Sequence, residues 1–154
     1  MYSIALIFHS IFRWIILLSL IYLIIRSSKG YFYNIKYSFW DNKIRYWMAT
    51  IAHIQLIIGI LVYIKSPIVQ HYFSNFKTAI SNWELTFFSL FHSSLMISAI
   101  VLVTIGSAKA KRKLTDKEKF KTTLLFFSLA FVIIMIAIPW PFSPLANRPY
   151  IRTF

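Results

Sequence analysis

Cysteine is absent from the chain. Disulfides, thiolate zinc sites and covalent c-type haem attachment, which needs C-x-x-C-H, are thereby excluded. Acidic residues are almost as scarce: Asp41, Glu84, Asp116 and Glu118 are the whole set. None lies inside a long apolar run. No carboxylate pair therefore stands at membrane depth for acid–base hydrolysis, and the intramembrane carboxylate and broken helices expected of a proton pump or transporter are missing. Only three glycines occur. They form no phosphate-binding loop, and neither HExxH nor GxSxG is found. No internal repeat and no low-complexity linker is visible. The first apolar run has no basic stretch before it and no small-residue cleavage site after it, so it reads as a retained helix, not a signal peptide.

What is present is apolar. Of the 154 residues, 58% are hydrophobic and 14% charged, more apolar surface than a soluble domain of this length could hide. Four runs are long enough to cross a hydrocarbon core of about 30 Å, at residues 4–25, 46–64, 85–105 and 122–138. The expected fold is all-α, a single membrane domain over 1–154 built as an up-down-up-down four-helix transmembrane bundle. Aromatic residues make up 19% and suit the membrane–water interface. Ser81-Asn82-Trp83-Glu84 and Thr115-Asp116-Lys117-Glu118 read as capping boxes opening the third and fourth helices. Asp41 is expected to cap the second, Gly106 to close the third and Pro139 to close the fourth. The tail Pro139-Trp140-Pro141-Phe142-Ser143-Pro144 cannot continue a helix, since proline lacks the backbone donor. Its aromatics suggest a course along the interface.

The net charge of +13 is distributed around the apolar runs and lines no groove suited to nucleic acid. An anionic leaflet is the simpler partner. Arg26, Lys29, Lys36, Lys43 and Arg45 follow the first span. Lys109, Lys111, Arg112, Lys113, Lys117, Lys119 and Lys121 follow the third. The second loop has only Lys65 and Lys77, and the tail only Arg148 and Arg152. The positive-inside rule then places the first and third loops in the cytoplasm and both termini on the opposite side.

Ionisable groups within a span are costly and usually functional. Here they are His9, Arg13, His53 and His92, with Gln55 as a neutral polar addition. His9 precedes Arg26, and His92 precedes Lys109, by the same 17 residues. Both should sit roughly 25 Å above the basic boundary, on spans that are diagonal neighbours in such a bundle. Two imidazoles at one level suit axial ligation of a haem iron, and neutral imidazole is the commonest side-chain metal ligand. His92 shares a face with Ser89, Met96, Ala99 and Val103. The small residues there leave room either for a flat cofactor or for close helix packing. Arg13, one turn from His9, either offsets a haem propionate or snorkels to lipid phosphate or Glu84. His53 lies about 13 Å below the His9/His92 layer. It would hydrogen-bond a quinone, touch a haem edge, ligate a second haem with another chain's help, or simply bond a neighbouring carbonyl or serine. Gln55 points elsewhere, with Ala52 and Gly59, as a packing contact. His71 reads as an exposed loop residue.

A resemblance follows from the order of these runs. His9-Ser10-Ile11-Phe12-Arg13-Trp14, then Ala52-His53-Ile54-Gln55-Leu56, then Phe91-His92-Ser93 and Ile105-Gly106-Ser107-Ala108-Lys109, and finally Ile138-Pro139-Trp140-Pro141-Phe142, resemble small four-helix membrane proteins of the Bacteroidetes type labelled cytochrome b-like. The resemblance spans nearly the whole chain. It implies b-type haem, electron transfer and a bacterial inner membrane. The acidic residue that usually precedes the third-span histidine is Phe91 here, so orientation of the imidazole would fall to Ser89 or Ser93.

The expectation is a b-haem relay, with His9 and His92 as metal ligands and Arg13 and His53 as cofactor contacts. It would act as a subunit or partner of other membrane proteins, not as a self-contained enzyme. The alternatives are a cofactor-free accessory or assembly subunit and a quinone-binding subunit.

Overall fold

Four helices are long and apolar enough to cross a membrane, and in their most apolar stretches only 17–39% of residues are buried within the chain. The remainder of that apolar surface needs a lipid solvent, which makes this a multi-pass membrane protein. The computed structural model describes residues 2–146 and 148–150; Arg152 of the tail lies outside the described residues. The long helices are α1 (Tyr2–Phe32) and α2 (Phe39–Lys65), then, after the short α3 (Pro67–Ser74), α4 (Phe76–Ala79) and α5 (Trp83–Thr86), α6 (His92–Arg112) and α7 (Asp116–Ala137). A π-helical turn, Phe87–Phe91, joins α5 to α6 in one rod spanning Trp83–Arg112. Around the bundle the order is α1–α2–α6–α7, with α1 and α6 on one diagonal.

Several helix ends differ from expectation. α1 runs on to Phe32 and stops at Asn34, whose φ of 50° is the left-handed conformation asparagine tolerates. Ile35 N–H returns to the Gly30 carbonyl at 3.1 Å, the long bond of a Schellman stop. Asp41 is not the cap of α2. Ser38 is, its Oγ accepting from the Asp41 N–H while the Asp41 carboxylate accepts from the Ser38 N–H. The same buried carboxylate takes two bonds from Arg26, at 2.7 and 2.9 Å, and so clips the end of α1 to the start of α2. Asn82, not Ser81, caps α5 by accepting from Leu85 N–H. Thr115 caps α7 as expected.

Gly106 does not close the third helix, which continues to Arg112. It serves packing instead: a Cβ there would lie 2.3 Å from Phe126 Cβ and 3.4 Å from the Phe127 ring. The core grows from that contact through Leu20, Met48, Ala99, Val103, Phe127 and Ala130.

α7 ends at Ala137, with Pro139 just beyond. The tail does not simply lie along an interface but folds back over the bundle end. Arg148 N–H bonds the Pro139 carbonyl at 3.2 Å and its guanidinium pairs with Glu84, while Trp14 stacks edge-on to Trp140.

Gly106→Ala should destabilise the protein by about 1–3 kcal/mol, because the Phe126 Cβ sits too near its own backbone to yield. The reading is the thermal midpoint in detergent against exposed Ser98→Ala, expected within about 0.5 kcal/mol of wild type. An unchanged Gly106→Ala midpoint would mean that α6 and α7 do not meet there.

Candidate functional site

At the end of the bundle covered by the tail, the four long helices do not close on one another. They enclose a mostly apolar cavity of about 390 Å³. α1 contributes His9 and Arg13, α2 contributes Gln55, Gly59 and Tyr63, α6 contributes His92 and Met96, α7 contributes Ile134, and Ile138 follows just beyond it. The His9 and His92 rings face each other across it, centres 6.3 Å apart and planes at 67°. Two residues far apart in sequence thus meet in one layer, because equal counts along diagonal helices running in the same direction reach equal depth.

The orientation of His92 comes from neither Ser89 nor Ser93. Its Nδ1 bonds the Ala137 carbonyl at 2.8 Å. In a continuing helix that carbonyl would accept from residue 141, but residue 141 is proline and has no N–H. A carbonyl acceptor requires Nδ1 to carry the proton, so Nε2 keeps the lone pair. Among the described residues His92 Nε2 makes no hydrogen bond. The neighbouring break works the same way: Pro139 cannot serve the Met135 carbonyl, which instead accepts from the Trp140 indole at 2.9 Å.

The π-helical turn directly precedes His92, and such turns are frequent at functional sites. The Tyr63 phenol anchors it by donating to the Ser89 carbonyl at 2.8 Å. Ser93 Oγ donates to the same carbonyl at 3.3 Å and to the Leu90 carbonyl at 3.0 Å, while Ser89 Oγ is buried without a partner, so neither serine bonds the imidazole.

On the facing side His9 rests against Gly59, where a Cβ would come within 3.3 Å of His9 Cε1. Gln55 belongs to this site, contrary to its reading as a packing contact. Its amide donates to the His9 carbonyl at 2.9 Å. The sequence grouped Gln55 with Ala52 and Gly59 on one face but did not show which way the face turns.

His53 lies outside the cavity, exposed on the α2/α6 seam, with its Nε2 3.0 Å from Thr104 Oγ1, a local bond of the kind that was one of its expected roles. Two residues from Gln55 it is rotated by about 200° around the helix, so one pointing inward turns the other out. Arg13 lines the cavity and donates to the Tyr150 carbonyl, beside a 3.1 Å bond from the Trp14 indole to the same oxygen. Glu84, the expected alternative partner of Arg13, pairs with Arg148. His71 is exposed, and its ring and carbonyl meet Asn75.

Among the described residues six buried side-chain polar atoms lack a hydrogen-bond partner. Three of them belong to residues lining this cavity, His9 Nδ1, Arg13 Nε and Gln55 Oε1, and a fourth, Ser89 Oγ, is nearby on the π-helical turn. Buried polar groups are normally bonded, so these orphaned atoms single this cavity out as the candidate site. Ile60 of α2 and Ile97 of α6, both exposed, are among its lining residues, in the stretch between the His53–Thr104 and Tyr63–Ser89 bonds. No family model, no curated protein and no solved structure matches the chain. Its class rests on fold and cavity alone: an all-α multi-pass membrane protein with two imidazoles opposed across an intramembrane cavity.

Nitrogen NMR on histidine-labelled, cofactor-free protein should find His92 protonated on Nδ1 and bare at Nε2, since the Ala137 carbonyl can only accept. The opposite tautomer would remove the bond that orients the ring.

Proposed function

We propose that the chain is a b-type haem membrane protein that relays electrons, in which His9 and His92 would hold the haem iron, working as a subunit of or partner to a respiratory-type membrane complex. The observation carrying this reading is the opposed imidazole pair, 6.3 Å between ring centres inside an apolar cavity. Two imidazoles gripping one metal ion through bonds of about 2 Å stand about 6 Å apart, centre to centre. Among the described residues no cluster of three or more His, Cys, Asp or Glu could hold a metal ion. A metal at this pair would need its other ligands from a macrocycle, as haem iron has. The resemblance to cytochrome b-like proteins points the same way.

When bound, a haem would supply one-electron chemistry at its iron. The chain's residues have the supporting roles. The Ala137 carbonyl holds the His92 ring with Nε2 toward the cavity, the arrangement that orients metal-bound histidines. Gly59 leaves space for His9. Arg13, without an acidic partner among the described residues, provides positive charge for a carboxylate at the cofactor edge. The apolar wall keeps water out. The basic loops support a bacterial inner-membrane location with both termini away from the cytoplasm.

The lining of the cavity by the lipid-exposed Ile60 and Ile97 favours a second reading, a quinone-binding subunit, in which Gln55 and Arg13 meet ring oxygens of a guest arriving from the bilayer.

The visible spectrum of protein purified with haem available decides between these. A reduced alpha band of b-haem type should appear, vanish in His9→Ala and in His92→Ala, and persist in His53→Ala. A well-folded but colourless preparation would reject the haem reading in favour of quinone binding or a cofactor-free accessory role. Loss of the band in His53→Ala alone would overturn the ligand pair.

A further inference from the structure

The opposite end of the bundle carries twelve of the 17 basic residues, those following the first and third spans. Diffuse attraction to an anionic surface would not require them to be arranged. In one place they are. A groove of about 340 Å³ lies between the start of α2 and the α6–α7 connection, lined by Tyr37, Ser38, Phe39, Asn42, Lys111 and Lys119. We propose that this groove binds the phosphate of an anionic phospholipid headgroup.

Its donors converge without a carboxylate among the lining residues. Ser38 and Asp41 are occupied with each other and with Arg26, which removes the nearest acid from competition. Lys111 makes no ion pair among the described residues. Lys119 stands over the Tyr37 ring at 5.5 Å and only 3.8 Å from Asp116, an exposed contact of little strength.

The second observation lies behind the groove. Arg45 is 3% exposed, and its hydrogen bonds go to neutral oxygens: the Ser107 carbonyl at 2.6 Å, the Ser107 hydroxyl and Asn42 Oδ1 at 2.6 Å. Its Nε is buried without a partner. No carboxylate oxygen bonds this buried guanidinium, since Asp41, one turn earlier on α2, is taken up by Arg26 and Ser38. A buried charge without a bonded counter-ion is expensive, and an anion one residue away would offset that cost. Asn42 connects the two. Because its Oδ1 accepts from Arg45, its amide NH₂ is left to donate into the groove.

Depth selects the source of the phosphate. Phe39, which lines the groove, and Trp40, Tyr46 and Trp47 beside it are all exposed aromatics at this end of α2. Exposed aromatics on a spanning helix sit at headgroup level, where lipid phosphates are the abundant anions. The assignment stands apart from the reading of the cavity at the other end.

Native mass spectrometry of the full chain in detergent, with phosphatidylglycerol or phosphatidylcholine added, tests it. The wild type should retain phosphatidylglycerol preferentially. Lys111→Ala with Lys119→Ala should weaken that retention about 10-fold, and Lys29→Ala with Lys121→Ala, equal in charge but outside the groove, about twofold or less. Asn42→Asp, which places a carboxylate in the groove and beside Arg45, should also lose the lipid while keeping the wild-type thermal midpoint or raising it. Equal retention of both lipids, or equal losses in the two lysine pairs, would overturn the site. Inorganic phosphate raising the thermal midpoint as much as phosphatidylglycerol would overturn the lipid assignment.

Discussion

A carbonyl within a bilayer that loses its helical donor must find another, because lipid offers none. Pro139 and Pro141, just beyond α7, create two such carbonyls. Trp140 claims that of Met135, and His92 claims that of Ala137. The first bond holds the tail's aromatic cluster against the bundle. The second fixes the tautomer and direction of a ring on another helix. Removal of two backbone donors thus ties α6, α7 and the tail into one unit, and the cavity takes its shape from that unit.

The cavity also depends on small residues where helices must approach or stand back. Gly106 brings α6 onto α7 at Phe126, which keeps the core on that side solid. Gly59 does the reverse, leaving space that the His9 ring occupies. The α2/α6 side is the looser one, bridged by side-chain bonds rather than dense packing.

Much of this is legible in the sequence for a simple reason. Depth along a helix is linear in residue number, so the spans, the Thr115 cap and the shared level of His9 and His92 follow from counting. Azimuth is not fixed by counting alone. Helices that are apolar all round have no polar face to say which side turns inward. Sequence reasoning therefore sets Gln55 apart from the site and His53 among its candidates, when the two point nearly opposite ways. The acceptor for His92 is harder still to foresee, being a backbone atom 45 residues away. Only Pro141 signals it, through a donor it lacks. Gly106 misleads because glycine near a run of lysines resembles a helix stop, whereas here it is a contact.

The π-helical turn at Phe87–Phe91 has a consequence for how the chain tolerates change in length. Such a turn amounts to one extra residue accommodated within a helix. Below it, α6 is held in register by α7. Deleting a single residue from the turn could therefore restore ordinary α-helix without disturbing His92. Trp83 and Glu84 would keep nearly the same azimuth, because four α-helical residues turn through about the same angle as five π-helical ones. The turn is an adjustable coupling in the rod, which can lose one residue while Glu84 stays near Arg148 and His92 keeps its place.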